Sequence, residues 1–125
     1  MNIKPVKTIL HVEDDDSIRM TIDLILQYEG YLVKAVSNGQ EALDFLSIHP
    51  KDIDLILLDV MMPVMDGFSF CKERLKDKFM AEIPTIIYSA DEHNKIKAEA
   101  LGMPFLNKPF DLDVLFQSID KYVRK

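Results

Sequence analysis

A chain of 125 residues is long enough for one domain with one core and too short for two. Its 48% hydrophobic and 29% charged residues exclude a disordered polymer, and its net charge of −6, from 21 acidic and 15 basic residues, excludes a general basic surface for nucleic acid. The one cysteine, Cys71, excludes an intrachain disulfide; with no apolar run near the roughly 20 residues of a membrane span and no signal-peptide stretch at the start, a cytoplasmic location is expected.

Thr8 to Val12 is a short apolar run and predicts a strand. From Asp16 to Glu29, Ile18, Ile22, Ile25 and Leu26 recur on one helical face, and Gly30 supplies the left-handed residue that ends the helix. Asp15 and Asp16 are placed to cap that helix and favour its dipole. Leu32 to Val36 predicts a second strand. Asn38, with Glu41 three residues on, opens a second helix that turns Ala42, Leu43 and Leu46 inward and ends before Pro50. Ile53 to Leu58 is nearly all apolar, as suits a strand covered on both faces. Pro63 and Gly67 punctuate the following loop, Asp66 shapes it, and Phe68, Cys71 and Leu75 form the buried stripe of a third helix. Thr85 to Tyr88 predicts a fourth strand, Glu92 to Leu101 a polar helix closed by Gly102, and Phe105 and Leu106 a short last strand. Asp111 caps a final helix with Leu112, Leu115, Ile119 and Val123 on one side.

Five strands alternating with five helices define an α/β chain with a doubly wound parallel sheet and helices on both faces. No repeat, low-complexity tract or linker interrupts the pattern, so residues 1–125 are expected to form a single domain. Ligands of such sheets bind beyond the carboxyl ends of the strands. There the first strand runs into Glu13-Asp14-Asp15-Asp16, the third ends in Asp59, the fourth in Ser89, and Lys108 and Pro109 follow the fifth. Each has an ordinary explanation by itself: a solvated acidic loop, a turn former, a helix cap, a surface charge. Converging on one sheet edge, they acquire a joint one. Crowded carboxylates repel and need a cation. Oxygen ligands with no His or Cys beside them favour Mg²⁺ or Ca²⁺ over zinc. A carboxylate can attack phosphorus to form an aspartyl phosphate, with a lysine and a hydroxyl holding the remaining oxygens.

These segments resemble the receiver domain of response regulators. The similarity is carried by Ile9 to Asp14, by Leu57-Leu58-Asp59-Val60-Met61-Met62-Pro63-Val64-Met65-Asp66-Gly67, by Pro84 to Ala90 and by Leu106-Asn107-Lys108-Pro109-Phe110. The resemblance implies a flavodoxin-like sheet of order 2-1-3-4-5. It implies that Asp59 is the phosphoacceptor, and that Glu13, Asp14, Asp59 and the backbone carbonyl of Met61 hold Mg²⁺. Ser89 and Lys108 then bind the phosphoryl group, Phe105 is the aromatic switch, and the bond from Lys108 to Pro109 is often cis in this family. The implied function is a phosphoacceptor switch of a two-component or phosphorelay system. It would take its phosphoryl group from a sensor histidine kinase or phosphotransfer protein and signal to a protein partner, catalysing only its own phosphorylation and dephosphorylation. No direct nucleic-acid contact and no membrane insertion are expected.

The sequence departs from the family's pattern between Ser89 and Lys108, which is a few residues shorter than usual, with one residue fewer before Phe105. A short or irregular fourth helix and a displaced Phe105 are therefore expected. The last helix also lacks the Arg-rich pattern of many DNA-binding regulators. Two other functions compete. Asp14-Asp15-Asp16-Ser17 faintly resembles the Asp-x-Asp signature of haloacid-dehalogenase-type Mg²⁺-dependent phosphohydrolases. A receiver fold can also serve as a binding module without phosphorylation. A nucleotide-binding domain is disfavoured because neither Gly-x-Gly-x-x-Gly nor a P-loop is present. His11, His49 and His93 lie in separate segments and are expected neither to carry a phosphoryl group nor to bind metal, and the seven Met residues read as core or loop filler.

Overall fold

The computed structural model describes residues 6–60 and 65–124. The elements follow in the order β1 (Thr8–Val12), α1 (Asp16–Tyr28), β2 (Leu32–Val36), α2 (Gly39–Ile48), β3 (Leu55–Asp59), α3 (Gly67–Arg74), α4 (Lys78–Ala81), β4 (Thr85–Ser89), α5 (His93–Ala100), β5 (Phe105–Asn107) and α6 (Leu112–Tyr122). All strand pairs are parallel, and the sheet order is β2-β1-β3-β4-β5, the doubly wound topology expected. Six helices are present among the described residues rather than five. The extra one is the single turn α4, held by the Asp77 carboxylate accepting from the amides of Phe79 and Met80. Four residues are too few to show a helical period, so nothing apolar announces it.

Every residue of β3 and β4 is buried, because helices cover both faces of the sheet. Leu10, Val12, Ile56, Leu58 and Ile87 face Ala42 and Leu46 of α2, Phe70 and Cys71 of α3, Met80 of α4 and Ala98 of α5. Ile9, Leu55, Leu57, Ile86 and Tyr88 face Ile22 and Leu26 of α1 and Leu115 and Ile119 of α6. Full burial of each such aliphatic side chain contributes about 1.5–3 kcal/mol, and this two-sided core makes the strand ends a rigid edge.

The inward faces of α1 and α6 are the expected ones apart from their first apolar residues, and the stripe of α3 is rotated. Ile18, Leu75 and Leu112 are exposed. In α3 the inward residues are Phe70, Cys71 and Arg74, with Phe68 only half-buried. Asp66 caps that helix, its carboxylate accepting from the Ser69 amide at 2.8 Å, and so sets the phase that three apolar residues alone left open.

Gly30 and Gly102 both have positive φ, 99° and 71°, and close α1 and α5 in the same way. The amide of each glycine donates three residues back, to Gln27 and Glu99, and the next amide donates to Leu26 and Ala98. The region before Phe105 is therefore short but continuous: α5 spans eight residues. Pro104 then accepts from the Ile87 amide, and Phe105 enters β5 in register with Ile87. Of the two expected outcomes the helix is short and not irregular, because its glycine closure returns the chain to the sheet in four residues, 101–104.

Candidate functional site

Parallel pairing brings the carboxyl ends of four strands level. Val12 pairs with Leu58, Asp59 with Tyr88 and Ser89 with Asn107. Glu13, Asp59, Ser89 and Lys108 stand at or one residue beyond those positions. Glu13 and Asp59 are buried and Asp14 is exposed, and each offers a carboxylate oxygen within 4.8 Å of the others. The Lys108 ammonium reaches into this trio, donating to Glu13 Oε1 at 3.2 Å and lying 3.7 Å from Asp59 Oδ1.

Glu13 is held at both oxygens. Oε1 accepts from the Tyr88 hydroxyl at 2.9 Å as well as from Lys108, and Oε2 accepts from the Asp15 amide at 3.1 Å. Burial alone would raise the Glu13 carboxyl. The Asp15 amide, a hydrogen bond shared with the Asp59 side chain, the Tyr88 hydroxyl and the Lys108 charge together outweigh burial and hold it below its ordinary value of 4.5. Asp14 is shifted the other way: partial loss of hydration and its contacts with Glu13 push it above the ordinary 3.8. Buried Tyr88, facing Glu13, is pushed far above the usual phenol and stays protonated. The donor set fits a hard cation: three carboxylates within reach of one point, with no imidazole or thiolate among them.

The Ser89 hydroxyl is buried and turned toward α5, where its oxygen accepts from the Asn94 side-chain amide at 2.9 Å and from the Asp91 amide at 3.1 Å. The Lys108–Pro109 peptide bond is cis. Phe105 is half-buried against the α2–α5 side of the core and lines a groove with Val114, Gln117 and Tyr122. Met61 lies outside the described residues. Asp15 caps α1, accepting from the Ile18 amide, while Asp16 is exposed and pairs with Arg19 at 2.6 Å. Asp16 thus stands apart from the acidic trio, and no Asp-x-Asp pair converges there.

Residues 9–120 match the response regulator receiver domain family. The chain belongs to that family. The receiver domain is 37% identical over 105 residues to response regulator SaeR of Staphylococcus aureus, an alignment covering 82% of this chain and 44% of that protein. The chain therefore spans under half the length of the curated relatives it matches. Among solved structures it is similar to chemotaxis protein CheY4 of Vibrio cholerae, at 30% identity and TM-score 0.84 over 95% of this chain and 100% of that one. It is equally similar in fold (TM-score 0.84, 28% identity, 94% and 98% covered) to the receiver domain of a Pseudomonas aeruginosa sensor histidine kinase, whose structure has a magnesium ion coordinated in the active-site cleft.

Sequence reasoning placed the trio, Ser89 and Lys108 at one edge but missed the polar chain behind them. His11 is fully buried, its Nε2 2.8 Å from the Tyr88 hydroxyl and its Nδ1 2.7 Å from Asp23 Oδ1 on α1. The available signal was His11 and Tyr88 standing inside two strands rich in Ile, Leu and Val, since such polar groups are buried only when partnered.

Proposed function

We propose that this receiver domain is a phosphoacceptor switch in which Asp59 takes a phosphoryl group from the phosphohistidine of a kinase or phosphotransfer protein in the cytoplasm. The observation that carries this reading is the setting of Asp59: a buried carboxylate at a strand end, 3.7 Å from the Lys108 ammonium and grouped with Glu13 and Asp14.

A carboxylate oxygen of Asp59 attacks phosphorus, the new P–O bond makes an acyl phosphate, and the P–N bond breaks with its electron pair going to the departing histidine. Glu13, Asp14 and Asp59 would hold Mg²⁺, as the magnesium-bound relative supports. When bound, the ion neutralises charge on the transferring oxygens and aligns them. Lys108 moves from pairing with carboxylates to pairing with a phosphoryl oxygen, a change of partner within the same few ångströms. Ser89 donates its hydroxyl hydrogen to another oxygen. The added charge, about −2 at neutral pH, draws Ser89 away from Asn94 and so acts on α5, with Phe105 on the adjoining β5. A protein partner reads that surface. Turnover is confined to the domain's own aspartate.

The test is incubation with acetyl phosphate and Mg²⁺, followed by intact-mass measurement. Addition of one phosphoryl group is expected in the wild type and none in Asp59→Ala. Undiminished labelling of Asp59→Ala would refute the assignment.

A further inference from the structure

The buried chain Asp23–His11–Tyr88–Glu13 is not demanded by packing. His11 and Tyr88 alternate with Ile9 and Ile86 along their strands, and an apolar pair there would avoid burying three polar atoms. Each link is nevertheless partnered, from Asp23 of α1 through His11 to the Tyr88 hydroxyl. The chain ends on Glu13 Oε1, the oxygen that also receives Lys108. The Tyr88 ring has a second role: the Lys108 ammonium sits 4.8 Å from its centroid, and Phe110 packs against it edge-on at 5.7 Å. A glutamate at this position has three side-chain torsions to fix before its carboxylate points at a metal. Its backbone supplies none of that orientation, so a partner must.

We propose that Tyr88 is a positioning residue for the metal and phosphoryl site. Its hydroxyl, braced by His11 and Asp23, orients the Glu13 carboxylate toward Mg²⁺, while its ring seats Lys108. The proposal rests on the reading of Glu13, Asp14 and Asp59 as a Mg²⁺ site. Tyr88→Phe separates the two contributions, because it keeps the ring and removes only the hydroxyl.

Mg²⁺ affinity is read by titrating ¹⁵N-labelled protein with MgCl₂ and following the backbone amides around Asp59. Tyr88→Phe is expected to weaken Mg²⁺ binding about 10-fold. At saturating Mg²⁺ the acetyl phosphate labelling rate should return to that of the wild type, since Lys108 keeps its seat. Tyr88→Phe also strands a buried imidazole nitrogen, so a paired variant, His11→Val with Tyr88→Phe, removes both partners of that hydrogen bond. Replacing both partners by apolar groups is nearly neutral for folding. Thermal stability should therefore recover while Mg²⁺ affinity stays about 10-fold weak. Wild-type Mg²⁺ affinity in either folded variant, or affinity that recovers together with stability in the paired one, would overturn the proposal. A wild type that binds no Mg²⁺ overturns the metal reading and this proposal together. A wild type that binds Mg²⁺ but gains no phosphoryl group overturns only the phosphoacceptor function.

Discussion

The Asn94 side-chain amide donates to the Ser89 hydroxyl oxygen at 2.9 Å, and both residues are buried. With the Asp91 amide also donating, the oxygen accepts two hydrogen bonds and its hydrogen is left to be donated. In the proposed switch, movement of Ser89 toward a phosphoryl oxygen on Asp59 would break these bonds and loosen the start of α5.

Asn94→Ala removes one of these bonds. It should cost about 1 kcal/mol and lower Tm by about 4 °C. The decisive measurement is the change in α5 amide shifts on phosphorylation, which should be smaller than in the wild type. An unchanged perturbation of α5 would show that the signal leaves by another path.

Lys108→Ala leaves Glu13 and Asp59 without their nearest cation. Lys108 helps hold the Glu13 carboxyl below 4.5, so its contribution to stability is present above that value and lost as pH falls through the lower folded-state value. Urea denaturation should show the variant less stable by about 2 kcal/mol at pH 7, with the difference vanishing in acid. Added Mg²⁺ should narrow the gap at pH 7, because the ion replaces the missing charge.

Gly67, at the start of α3, lies against the end of β3. A Cβ there would lie 2.8 Å from the Val60 Cα and 2.9 Å from the Asp59 carbonyl oxygen, both backbone atoms that can move only with the strand. Gly67→Ala should destabilise the domain by about 1–3 kcal/mol and slow acetyl phosphate labelling by displacing Asp59. Wild-type labelling in a folded variant would show that the strand end tolerates the shift.

Cys71 is buried, and burial pushes its thiol up to about 11 from an ordinary 9.0. Because the folded-state value is raised, the associated stability is complete below about pH 9 and fades as pH rises toward 11. Thiolate is the reactive form, so iodoacetamide at pH 8 should modify the native domain far more slowly than the denatured chain. Equal rates would contradict the burial.

Much of the site was legible because its signal is local. Each of Glu13, Asp14, Asp59, Ser89 and Lys108 ends a strand or lies within two residues of its end, and a parallel sheet has its strand ends on one edge whatever the side chains do. Glycine and cap positions were equally plain, since Gly30, Gly102, Asn38 and Asp111 act on their own neighbours through the backbone. The phase of α3 was not, because Leu75 and Phe70 are equally apolar and the choice between them is made by the Asp66 cap and the groove the helix meets.

The sequence by itself determined the alternation of strands and helices, the parallel sheet and the acidic edge, because these depend on period, composition and nearest neighbours. Only the tertiary structure decided that His11 and Tyr88, 77 positions apart, meet across β1, β3 and β4 and end their hydrogen bonds on Glu13. A hydrogen bond acts over about 3 Å, and no pattern along a chain reports which residues come that close. Folding the sheet alone turned a histidine and a tyrosine that looked like ordinary strand residues into the support behind a carboxylate.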